Sequence, residues 1–439
     1  MRREADFFLQ NYLKNESPPF NVLIVQGARQ VGKTFLVESA LKSRPHTAIN
    51  LEKQPEVKLA IDSSNNFAEL QKRLFEYTGF KPDIGHILYI DEAQESNQLG
   101  RFIRQFKEDW KQTKVILSGS SMNRLFREEQ RVPVGRMEYL TVYPFSFREY
   151  LRILEREELL DNLQDEIKDN KSTESLHQTL LNHYDRYLHV GGMPEAVKAS
   201  ASGDGYLRIH EMILASQRDD FIRKEPVDDH LFLDAFRALA HHVGDISHYA
   251  HVPTTQYKAK NVIELLKKWF IVIEVPQLGS APSQKFSPKR YLYDVGILRS
   301  YRELAIPKIS LTKSLSEIER TPLGGLIENA VLLPLLSRTS GMMPISGWKK
   351  DKKHPIEVDF ILKLSPEVII PMEIKASLNV QTKHLKNLTC YAERHKPQTA
   401  MLVNLDRYNK IRTEAGTEYV NVPAYGVDEF LKIKTVVPQ

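Results

Sequence analysis

Gly27, Ala28, Arg29, Gln30, Val31, Gly32, Lys33 and Thr34 bring two glycines, an ammonium group and a hydroxyl into one short segment. Gly27 and Gly32 let the backbone turn sharply, so that its amides converge on phosphate oxygens. A following helix, entered at Phe35, adds the positive end of its dipole. Lys33 can reach the β- and γ-phosphates of a nucleotide, and Thr34 can place its hydroxyl on Mg²⁺. The flanks agree: the apolar run Asn21–Gln26 suits a buried strand, and FLVESALKS suits a helix. This pattern predicts a P-loop that binds ATP or ADP with Mg²⁺ and hydrolyses ATP. Such a loop calls for a second apolar strand ending in an acid, and HILYIDEAQ supplies one. Asp91 is expected to hold Mg²⁺ through water, and Glu92 to polarise the attacking water. A third strand, Lys114–Leu117, runs into Ser118. That serine reads either as a γ-phosphate sensor that positions water or as a plain turn residue. Arg136, after Gly135, reads as a γ-phosphate contact, in cis or from a neighbouring subunit, or as a surface ion pair; Arg131 is a second candidate.

A second constellation lies near the C-terminus. GGLIENAVLLPLLSR suits an amphipathic helix carrying Glu328, EVDFIL sets Asp359 in a β-like run, and VIIPMEIKAS carries Glu373 and Lys375. Residues two apart on a strand share a face, so Glu373 and Lys375 project together. The order resembles the PD-(D/E)xK nuclease core, although Val358 stands where a proline usually precedes the aspartate. The resemblance implies that Asp359, Glu373 and a backbone carbonyl bind Mg²⁺, that Glu328 completes the shell, and that Lys375 orients or activates water against a phosphodiester. An acid inside VDFIL is costly to bury without a metal or partner. Two readings stay open: an active nuclease, or the same fold serving in binding or regulation. His354, Trp348 and Lys383 are further candidate substrate contacts, with a structural role the favoured alternative for each.

These residues need several elements to position them. At 439 residues the chain exceeds one ordinary core. Its 41% apolar and 27% charged content is that of a globular protein. A net charge of +5 permits nucleic-acid binding without requiring it. The single cysteine, Cys390, excludes an intrachain disulfide and fits a reducing cytoplasm. Apolar runs such as Ala330–Leu336 are too short to span a bilayer, so no membrane association is expected. The middle reads as helical, and the very polar stretch 155–175 reads as exposed. Around Thr254 and Thr255 a third helix of a winged-helix pattern begins. Phe270–Val275 and Arg290–Tyr293 are expected to pair as its wing, and Lys258, Lys260 and Lys289 to be available to DNA. A winged helix packed on the ATPase as a switch element is the favoured alternative.

In order along the chain, GARQVGKT, INLEK, LYIDEAQ, ILSGSS, VGR, YPFSFREYL, YLHVGGMPEAV, SPKRYLYDVGIL, GGLIENAVL, EVDFIL and MEIKAS resemble the prokaryotic AAA-type ATP-binding proteins with a C-terminal domain of unknown function, near the STAND class. The resemblance implies an arginine role for the Gly135–Arg136 pair. It also implies a GxP-type contact of Pro194, in Gly192-Met193-Pro194, with the nucleotide base. The expected fold is α/β with four parts. Residues 1–150 form a P-loop AAA-type parallel sheet, 151–228 a helical region, 229–305 a winged-helix-like region, and 306–439 a restriction-endonuclease-like α/β domain. The implied function is a cytoplasmic Mg²⁺-dependent ATP switch governing that last domain, with DNA or RNA and further copies of the chain as expected partners.

Overall fold

The computed structural model describes residues 3–15, 20–83, 85–126, 137–246, 248–280, 284, 286–302, 308–309, 316–338, 345–353, 356–365 and 367–434. Arg131, Gly135, Arg136 and His354 lie outside these. The chain divides into two compact units. One comprises Met1–Tyr143 with Lys268–Ile271, and the other Pro144–Lys267 with Val272–Gln439. Residues from all three later segments set out above therefore contribute to a single unit. Among the described residues no helix is long and apolar enough to cross a membrane.

The first unit holds five parallel strands: β1 (Val22–Gln26), β2 (His46–Asn50), β3 (Ile87–Asp91), β4 (Lys114–Gly119) and β5 (Met137–Thr141). Their spatial order is β2-β3-β4-β1-β5. β1 and β3 are apolar almost throughout because both of their faces are covered. Val22, Ile24, Leu88, Ile90, Val115 and Leu117 join one core with Phe102, Phe106 and Trp110. Parallel strands aim their C-terminal ends at one edge of the sheet, which gathers Gln26, Asp91 and Gly119 there.

The second unit opens with helices. The Glu158–Lys168 helix falls in the stretch expected to be exposed, yet Leu160, Leu163 and Ile167 are buried. Their i, i+3, i+7 spacing builds one apolar stripe under a charged face, and Arg148 ties this part to Glu429 through two hydrogen bonds of 2.6 Å. The expected third helix is present as Gln256–Lys268. β6 (Val272–Val275) pairs antiparallel with β8 (Lys289–Leu292), as the wing expectation required of these two runs. Between them β7 (Gln277–Gly279) leaves to join a larger sheet. That mixed sheet also contains β9 (Ile345–Lys349), β10 (Glu357–Lys363), β11 (Ile369–Ile374), β12 (Thr399–Asn404), β13 (Asn409–Glu414) and β14 (Thr417–Pro423), in the order β13-β14-β12-β11-β10-β9-β7. The Glu317–Arg338 helix precedes the antiparallel β9-β10-β11 meander, and the Lys386–His395 helix crosses to the parallel strand β12.

Candidate functional site

The loop after β1 depends on its glycines. Gly27 has φ +147°, and a Cβ there would lie 2.2 Å from the Val142 carbonyl oxygen; Gly32, at φ +92°, immediately precedes the Lys33–Leu41 helix. Ala28 and Val31 are buried, Arg29 is half-buried, and Gln30 and Phe35 are exposed. The Lys33 ammonium folds into the loop and donates to the carbonyls of Gly27 at 3.0 Å and Ala28 at 2.8 Å. An ammonium has three donors, so one remains to aim at a phosphate oxygen. On the loop's other side, the buried Arg3 donates to Val31 O and to Tyr143 O, each at 2.6 Å. The loop is thus braced by two cations that donate to its carbonyls.

Burial lowers the Lys33 pKa to about 8; Glu92 and Asp91 pull it upward, and Arg29 adds to the lowering. Nucleotide phosphates would raise it again, so the complex holds more proton than the free protein above that value. Binding that takes up a proton weakens as pH rises. ATP affinity is therefore expected to be level near pH 7 and to fall on the order of tenfold by about pH 9.5. Titration calorimetry across this range checks it, and an affinity constant to pH 9.5 would contradict it.

At the end of β3, the buried Asp91 accepts from three neutral donors. Thr34 Oγ1 lies 3.0 Å away, Asn50 Nδ2 3.1 Å, and the Ser118 hydroxyl is hydrogen-bonded to Oδ1. The Tyr89 hydroxyl is 3.0 Å from Ser118 Oγ. Ser118 is fully buried, so its hydroxyl serves Asp91 and Tyr89. Thr34 and Asp91 form an oxygen-only pair beside the phosphate loop, a donor set that fits Mg²⁺ shared with phosphate and water. Glu92 adopts φ +52°, a left-handed conformation that turns its side chain out of the strand line, and Gln94 Nε2 donates to its carboxylate at 2.5 Å. Gly119 makes room for Gln94: a Cβ there would stand 1.7 Å from Gln94 Oε1. Arg3, Asn50, Gln94 and Gly119 were not singled out from sequence, although INLEK, LYIDEAQ and ILSGSS contain three of them.

In the second unit, Gly192-Met193-Pro194 forms the turn between two helices, with Pro194 buried in the first turn of the Pro194–Ala201 helix. The Gly192 amide donates to Asp294 Oδ2 at 2.7 Å, and its carbonyl accepts from Phe145 N at 2.7 Å. Asp294 also caps the Val295–Tyr301 helix through Ile297 N at 2.9 Å. A fully buried carboxylate thus ties GGMPEAV to YLYDVGIL, and the Gly192 carbonyl holds YPFSF.

The C-terminal residues Glu328, Asp359, Glu373 and Lys375 do come together. The antiparallel register Phe360↔Met372 places Asp359 opposite Glu373. On its other edge β10 slips register against β9 between Val358 and Ile361, a bulge that contains Asp359. Lys375 lies 2.6 Å from Glu373, and Asn387 donates to the same carboxylate at 2.9 Å. The centre belongs to a residue assigned elsewhere by sequence. Lys289 Nζ is 2.8 Å from Asp359 Oδ1, 3.5 Å from Glu328 Oε2 and 3.6 Å from Glu357 Oε1. Two expectations are corrected. Lys289 is only 2% exposed, so it is not presented to DNA, whereas Lys258 and Lys260 are exposed. The set Glu328, Asp359 and Glu373 does not fit a divalent cation as arranged, because an ammonium lies between two of the carboxylates and the third is turned to Lys375 and Asn387. Among the described residues no three His, Cys, Asp or Glu side chains are grouped to hold a metal. Trp348 is a core residue, and Lys383 lines a cavity of about 480 Å³ with Glu328, Lys375, Ser377 and His384.

The charges follow from burial and neighbours. Burial opposes the charge on Lys289, but Asp359 and Glu328 outweigh it and hold its pKa well above the usual lysine value. Burial, helped by the Asp359 charge, pushes Glu373 up to about 8. Burial pushes Glu328 up to about 7 against the pull of Lys289. Two lysines and one ionised aspartate therefore meet two carboxyls that readily keep a proton, so the cluster carries no excess negative charge to call for a further cation.

Residues 19–151 match the family model of an AAA domain. Residues 181–307 match a domain of unknown function, DUF8612, and residues 323–425 another, DUF4143. The N-terminal part of the chain is thus an AAA-type P-loop domain. A Haemophilus influenzae protein described as uncharacterized is 23% identical over 420 residues, 89% of this chain and 90% of that one. Among solved structures, the Walker-type ATPase PABY2304 of Pyrococcus abyssi is 16% identical with TM-score 0.44, covering 69% of this chain and 95% of that one. The Aeropyrum pernix ORC2 protein, solved in ADPNP-ADP complexes, is 14% identical with TM-score 0.29, covering 62% and 86%. At these TM-scores neither likeness carries an argument of its own.

Proposed function

We propose that the first unit binds ATP or ADP with Mg²⁺ and hydrolyses ATP, and that the chain works as a nucleotide-controlled switch. The observation that carries this reading is Thr34 Oγ1 standing 3.0 Å from the Asp91 carboxylate beside a loop that Lys33 closes from within. Mg²⁺, when bound there, would neutralise charge on the β- and γ-phosphates. Lys33 binds the phosphates, Thr34 and Asp91 hold the metal side, Asn50 and Ser118 orient Asp91, and Glu92 takes the proton side of water attack. Arg136 would complete the site, in cis or from a neighbouring copy. Purified protein with ATP and Mg²⁺ is expected to release inorganic phosphate, and chelating the metal to stop release. ATP that neither binds nor turns over with Mg²⁺ present would sink the reading.

A second reading concerns the C-terminal domain, and the position of Lys289 favours binding over cutting. The cavity of about 480 Å³ beside Glu328 and Lys375 offers a place for a ligand. Incubation with single- or double-stranded DNA or RNA, with Mg²⁺ or Mn²⁺ and with or without ATP, is expected to give no cleavage beyond that of an Asp359→Ala control. Cleavage abolished by both Asp359→Ala and Lys375→Ala would overturn it.

A further inference from the structure

Lys289 reaches the carboxylate cluster from a different sheet. It sits on β8, 70 residues before its main partner Asp359, and its backbone is held by pairing with Val275 and bridging to Ile246. Tyr291, two residues along β8 and so on the same face, donates its hydroxyl to Glu328 Oε2 at 3.0 Å. One strand therefore delivers both a cation and a hydroxyl donor to the pair Glu328 and Asp359. A divalent metal bridging these carboxylates would need to stand roughly 2.0–2.6 Å from the oxygens that now face the ammonium. Lys289 is 2.8 Å from one of them, so metal and ammonium cannot share the place. Its side chain is 2% exposed, so the ammonium is held inside the cluster.

We infer that Lys289 is the resident cation of this cluster, standing where a divalent metal would bind, so that the native chain takes no metal there and removing the ammonium uncovers a latent metal site. Its hard oxygen ligands would be Asp359 and Glu328, with Glu357 within reach of the vacated position. This goes beyond the proposed function, because it concerns metal binding and is independent of ATP turnover and of cutting.

The test uses the full chain with Asp91→Asn in every sample, which silences the nucleotide site, and Mn²⁺ alone as the probe. Bound Mn²⁺ is read by loss of the free-ion paramagnetic resonance signal, and its effect by thermal melting. With Lys289 present, no Mn²⁺ uptake sensitive to Asp359→Asn and no Mn²⁺-dependent rise in melting temperature are expected. Lys289→Ala is expected to take up Mn²⁺ at least tenfold more tightly and to melt higher with the ion, and adding Asp359→Asn to abolish both effects. Mn²⁺ held by the Lys289-containing chain and released by Asp359→Asn would overturn the inference. So would a folded Lys289→Ala chain without gained uptake. If that variant fails to fold even with Mn²⁺, Lys289→Met, which keeps the stem's bulk, takes its place, and the Lys289-containing chain decides the first arm by itself.

Discussion

Glu92→Gln is expected to lower kcat for ATP hydrolysis by roughly 10²- to 10⁴-fold, the range associated with a lost general base, while ATP affinity changes only a few-fold. The separation follows from where the groups sit. Glu92 follows Asp91 at the end of β3 in a left-handed backbone conformation, and Gln94 holds its carboxylate. Glutamine keeps the size and the hydrogen bonding but cannot take a proton from water. Lys33→Ala acts on an earlier step. It removes the ammonium that closes the loop against the Gly27 and Ala28 carbonyls, so nucleotide affinity itself is expected to collapse. Phosphate release at saturating ATP, alongside equilibrium binding, reads the two effects apart. A Glu92→Gln protein that turns over normally would remove Glu92 from the chemistry, and a Lys33→Ala protein with normal affinity would remove the loop from nucleotide binding.

The second large effect is on stability. Lys289→Met leaves Asp359 buried with only Lys375 and the Ile374 amide to compensate it. Breaking a buried pair from one side costs about 3–5 kcal/mol, because the remaining charge loses its partner in a medium that solvates it poorly. The second unit is therefore expected to lose stability by about that amount. Adding Asp359→Asn should recover much of the loss, since a neutral amide no longer needs the ammonium. Denaturation of the full chain, in a cycle of the two single variants and the double, measures the coupling. If the double variant is as unstable as the sum of the singles, the two residues do not act as a pair.

What the sequence determined by itself is the chemistry encoded locally. The nucleotide loop was legible because phosphate binding demands particular residue types within eight consecutive positions, Gly27 to Thr34. Asp91 and Glu92 were legible as acids closing an apolar strand, and Glu328, Asp359, Glu373 and Lys375 as an ordered set on one helix and two strands. The stripe Leu160, Leu163 and Ile167 was also readable by period, but the surrounding charge masked it.

The tertiary structure alone decided which group completes each site. Arg3 bonds Val31 across 28 residues, Asn50 bonds Asp91 across 41, and Lys289 bonds Asp359 across 70. Nothing in the local sequence ranks one lysine or asparagine above another for such roles. In the sequence, Lys289 is simply a basic residue near a wing, indistinguishable from the exposed Lys258 and Lys260. Only the pairing of β8 with β6, and the packing that buries it, turns that ammonium toward two carboxylates. The physical reason is electrostatic: burial strips water from all of these charges at once, so which residue serves as the cation is settled by which backbone arrives beside the acids.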